Sequence, residues 1–478
     1  MSREHHHGVD TLEIERGSRP VKTGKSSVIG LVGTAPTGPV NTLTLCLSEK
    51  DAAQFGDEVS GFTLPQALRA IYDHGVGTVL VVNVFDPKSH QKTITAESVT
   101  FDSTHHSATL SQLPVGDIVV KSIDGQTTFK ATTDYTVASA TGRVTRVTTG
   151  GIAQGGTVSV TYNTPDVSKI TAADVLGATN AADQRTGMKA LENADSLFGY
   201  RPKLLIAPGF SHFNAVATAM IALADQCEAI AYIDAPAGTT FAQAIAGRGP
   251  QGTINFNTAS DRVRLCYPQI KVYDKATNQT RLEPLSARAA GLRAKVDREK
   301  GFWWSSSNQA LMGIVGIERP LSARIDDANS EVNLLNQNGI TTVFNSFGSG
   351  LRLWGNRTAA WPTVTHLKNF ENVRRTGDMI NESIRHFSLQ YIDRPINQGL
   401  IDALTESVNG YGRRLIADGA LLGFHCWYDL ANNTKDALSL GQLKLNYKYT
   451  PPPPMEHLTF ETEITNEYLT FLKSGVST

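Results

Sequence analysis

Residues 338–385 read NGITTVFNSFGSGLRLWGNRTAAWPTVTHLKNFENVRRTGDMINESIR, and their pattern organises the rest of the chain. Two β-branched or apolar runs, Ile340–Phe344 and Leu351–Trp354, flank Asn345-Ser346-Phe347-Gly348-Ser349-Gly350. That order predicts a strand, a Gly-bearing turn and a returning strand. Downstream, Phe370, Val373, Gly377, Ile380, Ile384, Phe387 and Tyr391 recur at steps of three and four, one apolar seam on a helix starting near Phe370. The opposite side of that helix carries Glu371, Arg375, Asp378 and Glu382, with Arg374 and Arg385 towards its flank. No nucleophile, base and orienting acid cluster here, so the stretch lacks the form of an active site.

On the N-terminal side, Pro284-Leu285-Ser286 opens a helix running to about Asp297, and Ser330–Asn336 forms a shorter one. Between them, Phe302-Trp303-Trp304 offers two readings, a ligand-stacking platform or large rigid anchors at a domain junction or subunit contact, with Trp354 a further anchor. Further upstream, Ala181–Leu197 reads as helix, Lys203–Pro208, His212–Glu228 and Ala229–Asp234 as a β-α-β crossover, and Arg262–Val272 as strand-like. Ser27–Val32 is an apolar strand and Thr78–Phe85 a continuous apolar run of the kind buried on both faces of a parallel sheet, with helices at Ser48–Phe55 and Leu64–His74 between them. From Ser89 to Val167 the composition turns to Thr, Ser and Gly, with short strands at Ile118–Ser122, Thr127–Lys130, Tyr135–Ala138, Arg143–Val147 and Thr157–Tyr162. A small β-sandwich inserted into the α/β pattern fits that shift.

Past the seam, Gln398–Gly410 reads as helix, and Arg413–Ala417, Phe424–Asp429 and Leu443–Tyr449 as strands. Pro451–Pro454 is a stiff spacer without amide donors. Beyond it Leu458, Phe460 and Ile464 alternate with Thr459, Glu461 and Glu463, and near the other terminus Leu12 and Ile14 alternate with Glu13 and Glu15. Strands this short and isolated need another sheet to join. Both ends of the chain therefore carry a lone strand set off by breaker residues.

Several motifs in one order carry a resemblance to a family: the Gly-Ile-Thr-Thr strand at 339–342, Leu353-Trp354-Gly355-Asn356-Arg357-Thr358, Asn372-Val373-Arg374-Arg375, and Glu299-Lys300-Gly301-Phe302-Trp303-Trp304. The chain resembles contractile tail sheath proteins of tailed bacteriophages, from its N-terminus to about Leu469. The expected fold is a multidomain α/β (α+β) protein: an arm at 1–20, an α/β core at 21–88 and 168–369, and an insertion at 89–167. A C-terminal domain at 370–455 and a second arm at 456–478 complete it. The resemblance implies a helical homo-oligomer around an inner tail tube protein, with baseplate and tail terminator at its ends, which contracts to drive the tube through a bacterial envelope. It places the insertion outside and the C-terminal domain towards the tube, with Arg374, Arg375 and Arg385 as candidate tube-facing residues. The remaining side of the long helix is equally readable as a solvated face of ordinary charge pairs. Leu12, Ile14, Leu458, Phe460 and Ile464 are the candidate inter-subunit arm residues.

Composition agrees with such a role. Charged residues are 19% of the chain, net charge is −1 and hydrophobic content is 40%. A near-neutral surface offers little to nucleic acid, which calls for a basic face, and little self-repulsion to oppose repeated association. Apolar stretches fall far short of a bilayer span and no signal segment opens the chain, so synthesis and folding in a host cytoplasm, with no membrane partner, are expected. Cys46, Cys227, Cys266 and Cys426 stand far apart in apolar runs, as small core residues do. His5-His6-His7 reads as a polar terminus, and no metal or cofactor is expected.

The competing reading is a Rossmann-like α/β enzyme with an accessory β domain. Gly24-Lys25-Ser26 imitates the end of a phosphate-binding loop, but Arg19 stands where the first glycine belongs and a strand follows. Ser211, His212 and Asp234 lack a strained nucleophile turn; Ser211 reads better as an N-cap and Asp234 as a turn former. A third reading puts a glycan-binding module in the insertion.

Overall fold

The computed structural model describes residues 21, 23–75, 77–274, 277–345, 348 and 350–469. The N-terminal arm with Leu12 and Ile14 lies outside those residues. Nine strands make one sheet, in the order Gln309–Ala310, Arg352–Trp354, Ile340–Phe344, Val263–Cys266, Ile230–Asp234, Leu204–Ile206, Val28–Gly33, Thr78–Asn83 and Thr44–Cys46. The six central strands run parallel, and antiparallel pairs close the two edges. The sequences VIGLVG, TVLVVN and IAYID are almost continuously apolar because both faces of this sheet are covered. Strand alternation sends Val28 and Val32 into one core, packed under the Asn214–Cys227 helix, and Ile29 and Leu31 into the other, under Leu64–Tyr72 and Leu285–Glu299. The latter two helices touch backbone to backbone at Gly291, where a Cβ would come within 2.8 Å of Ile71 Cα.

The strand pair expected in the opening stretch is present: Ile340–Phe344 lies parallel to Val263–Cys266 and antiparallel to Arg352–Trp354. Four strands (Gln91–Thr100, Thr157–Pro165, Gly116–Ser122, Thr128–Phe129) and three more (Ser107–Thr109, Arg143–Arg146, Tyr135–Ala138) form two small sheets around one shared core. Its first strand, Gln91–Thr100, is among those the sequence pattern did not reveal: its polar residues alternate with few apolar ones, and half of it faces water. The remaining core gathers the helices Glu371–Ser388 and Gln398–Ala417 and the hairpin Gly423–Tyr428/Leu445–Thr450. All four cysteines are free and buried, and among the described residues no helix is long and apolar enough to cross a membrane.

Four local expectations need correction. Arg413–Ala417 is the end of the Gln398–Ala417 helix, because Ile401, Leu404, Val408, Tyr411 and Leu415 carry the seam unbroken through it. Arg262–Val272 splits into Val263–Cys266 and Ile270–Asp274, strands of different sheets, since Pro268 has no amide to continue the ladder. Ala181–Leu197 is helical only from Gly187, first as a 3-10 turn to Asn193 and then as α-helix over Ala194–Phe198, following a turn with Asp183 at φ 59°. Ser211 is no cap: the helix starts at Asn214, and Ser211 Oγ instead accepts the Asp234 amide at 3.0 Å.

The two ends of the small β unit meet. Gln91 pairs with Pro165, and the Asp166 amide donates to the His90 carbonyl at 2.9 Å. Replacing residues 91–165 with a short Gly/Ser bridge should thus leave a soluble protein with the thermal unfolding of its central sheet retained, because the bridge spans points already in contact. Circular-dichroism melting of the purified variant checks this, and an insoluble or unfolded product would show that the β unit is integral.

Candidate functional site

The apolar seam of Glu371–Ser388 is buried as its spacing requires: Ile380, Phe387 and Tyr391 pack with Val408, Tyr411 and Leu415 of the next helix. Gly377 completes it, since a Cβ there would lie 2.6 Å from Tyr449 Oη. The opposite, charged side is buried as well. Glu371, Arg375 and Asp378 are 2–3% exposed, for that side lies against the end of the central sheet.

Each charge meets a partner from another element. Glu371 accepts from Arg264 Nη1 at 2.5 Å and from the Tyr232 hydroxyl at 2.5 Å. Arg264, fully buried, also donates to Thr341 Oγ1, Ser306 Oγ and the Gly355 carbonyl at 2.6–2.8 Å. Arg262 holds Asp378 through two bonds of 2.9 and 3.0 Å. Arg375 donates to both oxygens of Asp297 at 2.9 and 2.6 Å, and Arg293 reaches Asp297 at 2.8 Å. Lys203 and Glu382 form a further ion pair at 3.0 Å. Burial alone would raise the Asp297 carboxyl, but Arg293 and Arg375 outweigh it and hold the pKa down to about 2. For Glu371 burial is likewise outweighed, by Arg264, Arg293 and Arg375, and the carboxyl stays below its ordinary range. Asp378 goes the other way: burial raises it despite Arg262 and Arg374.

The three candidate tube-facing arginines therefore differ in fate. Arg375 is spent internally on Asp297 and on the Ser26 carbonyl, so a tube-facing role for it is withdrawn: its seat is 3% exposed. Arg374 pairs with Asp378 at 3.2 Å, and Arg385 with Glu228, but their side chains keep 27% and 52% exposure. Trp303 packs edge-on against Phe302 and lies between the C-terminal core and Asn372, which donates to its carbonyl at 2.9 Å. Trp354 stacks on Phe344 at 4.3 Å, whereas Trp304 is half exposed beneath Lys300. Ser211 is fully buried with its hydroxyl on Asp234, whose carboxyl is pushed up to about 6 by burial against the Ser286 and Ser211 hydrogen bonds. That pair fastens the first turn of Leu285–Glu299 to the neighbouring strand end.

Both chain arms root beside the C-terminal core. Val21 is buried in it, its carbonyl accepting from Arg414 at 2.8 Å. At the other end Pro451 is buried and Glu456 is gripped by Arg357 at 2.5–3.1 Å. Arg357 is itself set in place between the rings of Trp361 and Phe370, at 4.1 and 3.9 Å, with a bond to Asn369 Oδ1. Beyond this fastening, residues 457–465 form no helix or strand. Leu458, Phe460 and Ile464 are 56%, 80% and 103% exposed. The Gly423–Tyr428/Leu445–Thr450 hairpin is a sheet of two strands, with no third strand on either edge among the described residues; on the Gly423–Tyr428 edge the Asn409 side chain holds the Cys426 amide and carbonyl, at 2.8 and 2.9 Å.

Comparison with known proteins gives two family matches on this chain. Residues 183–359 match the family described as phage tail sheath protein central domain, and residues 363–465 the phage tail sheath C-terminal domain. The tail sheath protein of Burkholderia phage BcepMu is 62% identical over 476 residues, covering 99% of this chain and 100% of that protein. The tail sheath protein of Escherichia phage P2 is 27% identical, with 99% of each chain covered. Among solved structures, the helical sheath of the anti-feeding prophage in its contracted state superposes with a TM-score of 0.59 at 17% identity, over 96% of this chain and 99% of that one.

Asp297 gives the buried charges a measurable signature. Asp297→Asn leaves Arg293 and Arg375 facing a neutral amide and should cost about 3–5 kcal/mol near pH 7. With its folded pKa at about 2 against an ordinary 3.8, the carboxylate's contribution is complete above pH 3.8 and lost as pH falls through 2. Urea unfolding should accordingly show the gap between wild type and variant narrowing from pH 4 to pH 3. A gap that stays constant over that interval would contradict the assignment.

Proposed function

The chain belongs to the phage tail sheath family and is a structural subunit of a tail sheath; we propose that its terminal arms link it to neighbouring subunits by strand addition, with the Gly423–Tyr428/Leu445–Thr450 hairpin as the receiving sheet. One observation carries this reading: an apolar, alternating segment leaves the body exposed, and the same C-terminal part holds a two-stranded sheet whose edges pair with no further strand among the described residues. Burying one such side chain contributes on the order of 1.5–3 kcal/mol before ordering costs, and added main-chain bonds give the link its direction. Two arms, Leu12/Ile14 and Leu458/Phe460/Ile464, suit two edges. Head-to-tail contacts that do not close on themselves build a helical tube.

On this reading the subunits surround an inner tail tube, end at a baseplate and a terminator, and assemble in the host cytoplasm before joining the virion. Shortening of the sheath moves rigid bodies on their arms and drives the tube through the envelope, with energy held in the packing of the extended form and no nucleotide consumed. The β unit at 91–165 decorates the outside, Trp304 is the exposed candidate for a subunit contact, and Arg374 and Arg385 remain the candidate contacts to the tube. Reversing Arg374 and Arg385 to Glu should weaken co-sedimentation of sheath with tube more at low salt than at high; equal binding at both would remove them from that surface.

Truncation tests the arms. Removing residues 1–17, or everything after Glu456, should leave a folded protein with unchanged melting that no longer sediments as long tubes. Long tubes from either truncated protein would show that the missing arm is not a link.

A further inference from the structure

The receiving hairpin has two chemically different faces. Phe424, Tyr447 and Tyr449 stack on one another at 6.0–6.5 Å and pack, with Cys426, onto the C-terminal core. The other face carries His425, Trp427, Asn446 and Lys448, with Lys444 one residue before the strand. His425 lies directly across from Lys448, its ring 5.4 Å from that of Trp427, while Lys448 Nζ sits 5.8 Å over the same indole. Lys444 and Lys448 are exposed, and neither ammonium forms an ion pair among the described residues. Asn446 Nδ2, between them, has no acceptor among the described residues.

The arms show the complementary pattern. Leu458, Phe460 and Ile464 share one parity, Glu461 and Glu463 the other. Leu12-Glu13-Ile14-Glu15 repeats the alternation at the far end of the chain. A strand added to a sheet edge continues both faces of that sheet. Placing Phe460 on the tyrosine side sets Glu461 and Glu463 on the lysine side, and a slip of one residue would reverse both.

We propose that Lys444 and Lys448 select the acidic side of the C-terminal arm of a second copy of this chain, pairing with its Glu461 and Glu463 and so fixing which way the arm faces. The inference rests on arm exchange and adds its code: apolar side to the Phe424/Tyr447/Tyr449 stack, acidic side to the lysines. Cross-strand pairs of opposite charge stabilise and like charges directly opposite destabilise, so each subunit joint repeats the discrimination.

The test uses the full chain and reads the critical concentration for tube formation by sedimentation, with melting of the soluble subunit as the folding control. Lys444→Glu with Lys448→Glu should raise it about ten-fold at low salt, and Glu461→Lys with Glu463→Lys should do the same. All four together should return it to within about two-fold of wild type, and the single-sided defects should shrink at 0.5 M salt, roughly where the screening length falls below 5 Å. Should the reversed lysine pair fail to fold, Lys444→Gln with Lys448→Gln is expected to raise the critical concentration about three-fold. Wild-type assembly by the lysine variants, or no rescue by the four-fold swap, overturns the proposal. Rescue by Glu13→Lys with Glu15→Lys instead gives the face to the other arm and overturns it too. If truncation after Glu456 abolishes tubes while charge reversal changes nothing, arm exchange stands and charge selection falls; if the truncated chain still polymerises, both fall.

Discussion

The contact on which the rest depends is Glu371 against Arg264 and Tyr232, at the join between the long helix and the central sheet. Arg264 is fully buried on a central strand, and an unpaired guanidinium there would cost several kcal/mol. The Glu371–Ser388 helix supplies the carboxylate, and Arg262–Asp378 and Arg375–Asp297 repeat the arrangement along it. An apolar seam alone would let the helix slide or roll by a turn; fixed charge partners on its other side admit one seat. Net stabilisation from such pairs is small, because desolvation consumes most of the Coulomb attraction. What they contribute is a single register.

That register matters for load. The hairpin and both arm roots, at Val21 and at the Arg357–Glu456 grip, are attached to the helix layer, while most of the chain's mass sits around the nine-stranded sheet. If the arms link subunits as proposed, a pull on one reaches the sheet through the buried charges. Directional, hydrogen-bonded pairs resist rotation at that join better than a greasy contact of equal area. If the arms link subunits as proposed, movement between subunits falls to segments such as the one beyond Glu456.

The sequence was informative where one physical rule acted alone. Continuous apolar runs such as TVLVVN gave the parallel strands, and steps of three and four gave the long helix and its buried seam. Leu458, Phe460 and Ile464 alternate in the sequence and are exposed in the structure, where residues 457–465 form no strand. Where two rules conflict, reading failed. Arg375 and Asp378 looked like a wet or tube-facing surface because charge usually means solvent, and their partners lie 78 and 116 residues away. A signal was present: Arg262 and Arg264 alternate on a strand otherwise apolar, in the middle of a sheet, and buried charges there need acids from elsewhere. Arg413–Ala417 reads as a strand in a short window, where β-branching and charge say little, while the seam through Leu415 shows only over the longer one. The Arg357–Glu456 grip joins residues 99 apart, with no local pattern to announce it.

The most direct measurement is a cryo-EM map of the assembled tube at side-chain resolution. The expected result is residues 457–465 of each subunit lying as a strand along an edge of the Gly423–Tyr428/Leu445–Thr450 hairpin of another, with Arg264–Glu371 and Arg375–Asp297 intact inside every subunit. A map in which that segment folds back on its own body, or in which the Glu371–Ser388 helix has left the central sheet, would contradict a rigid body joined by its arms.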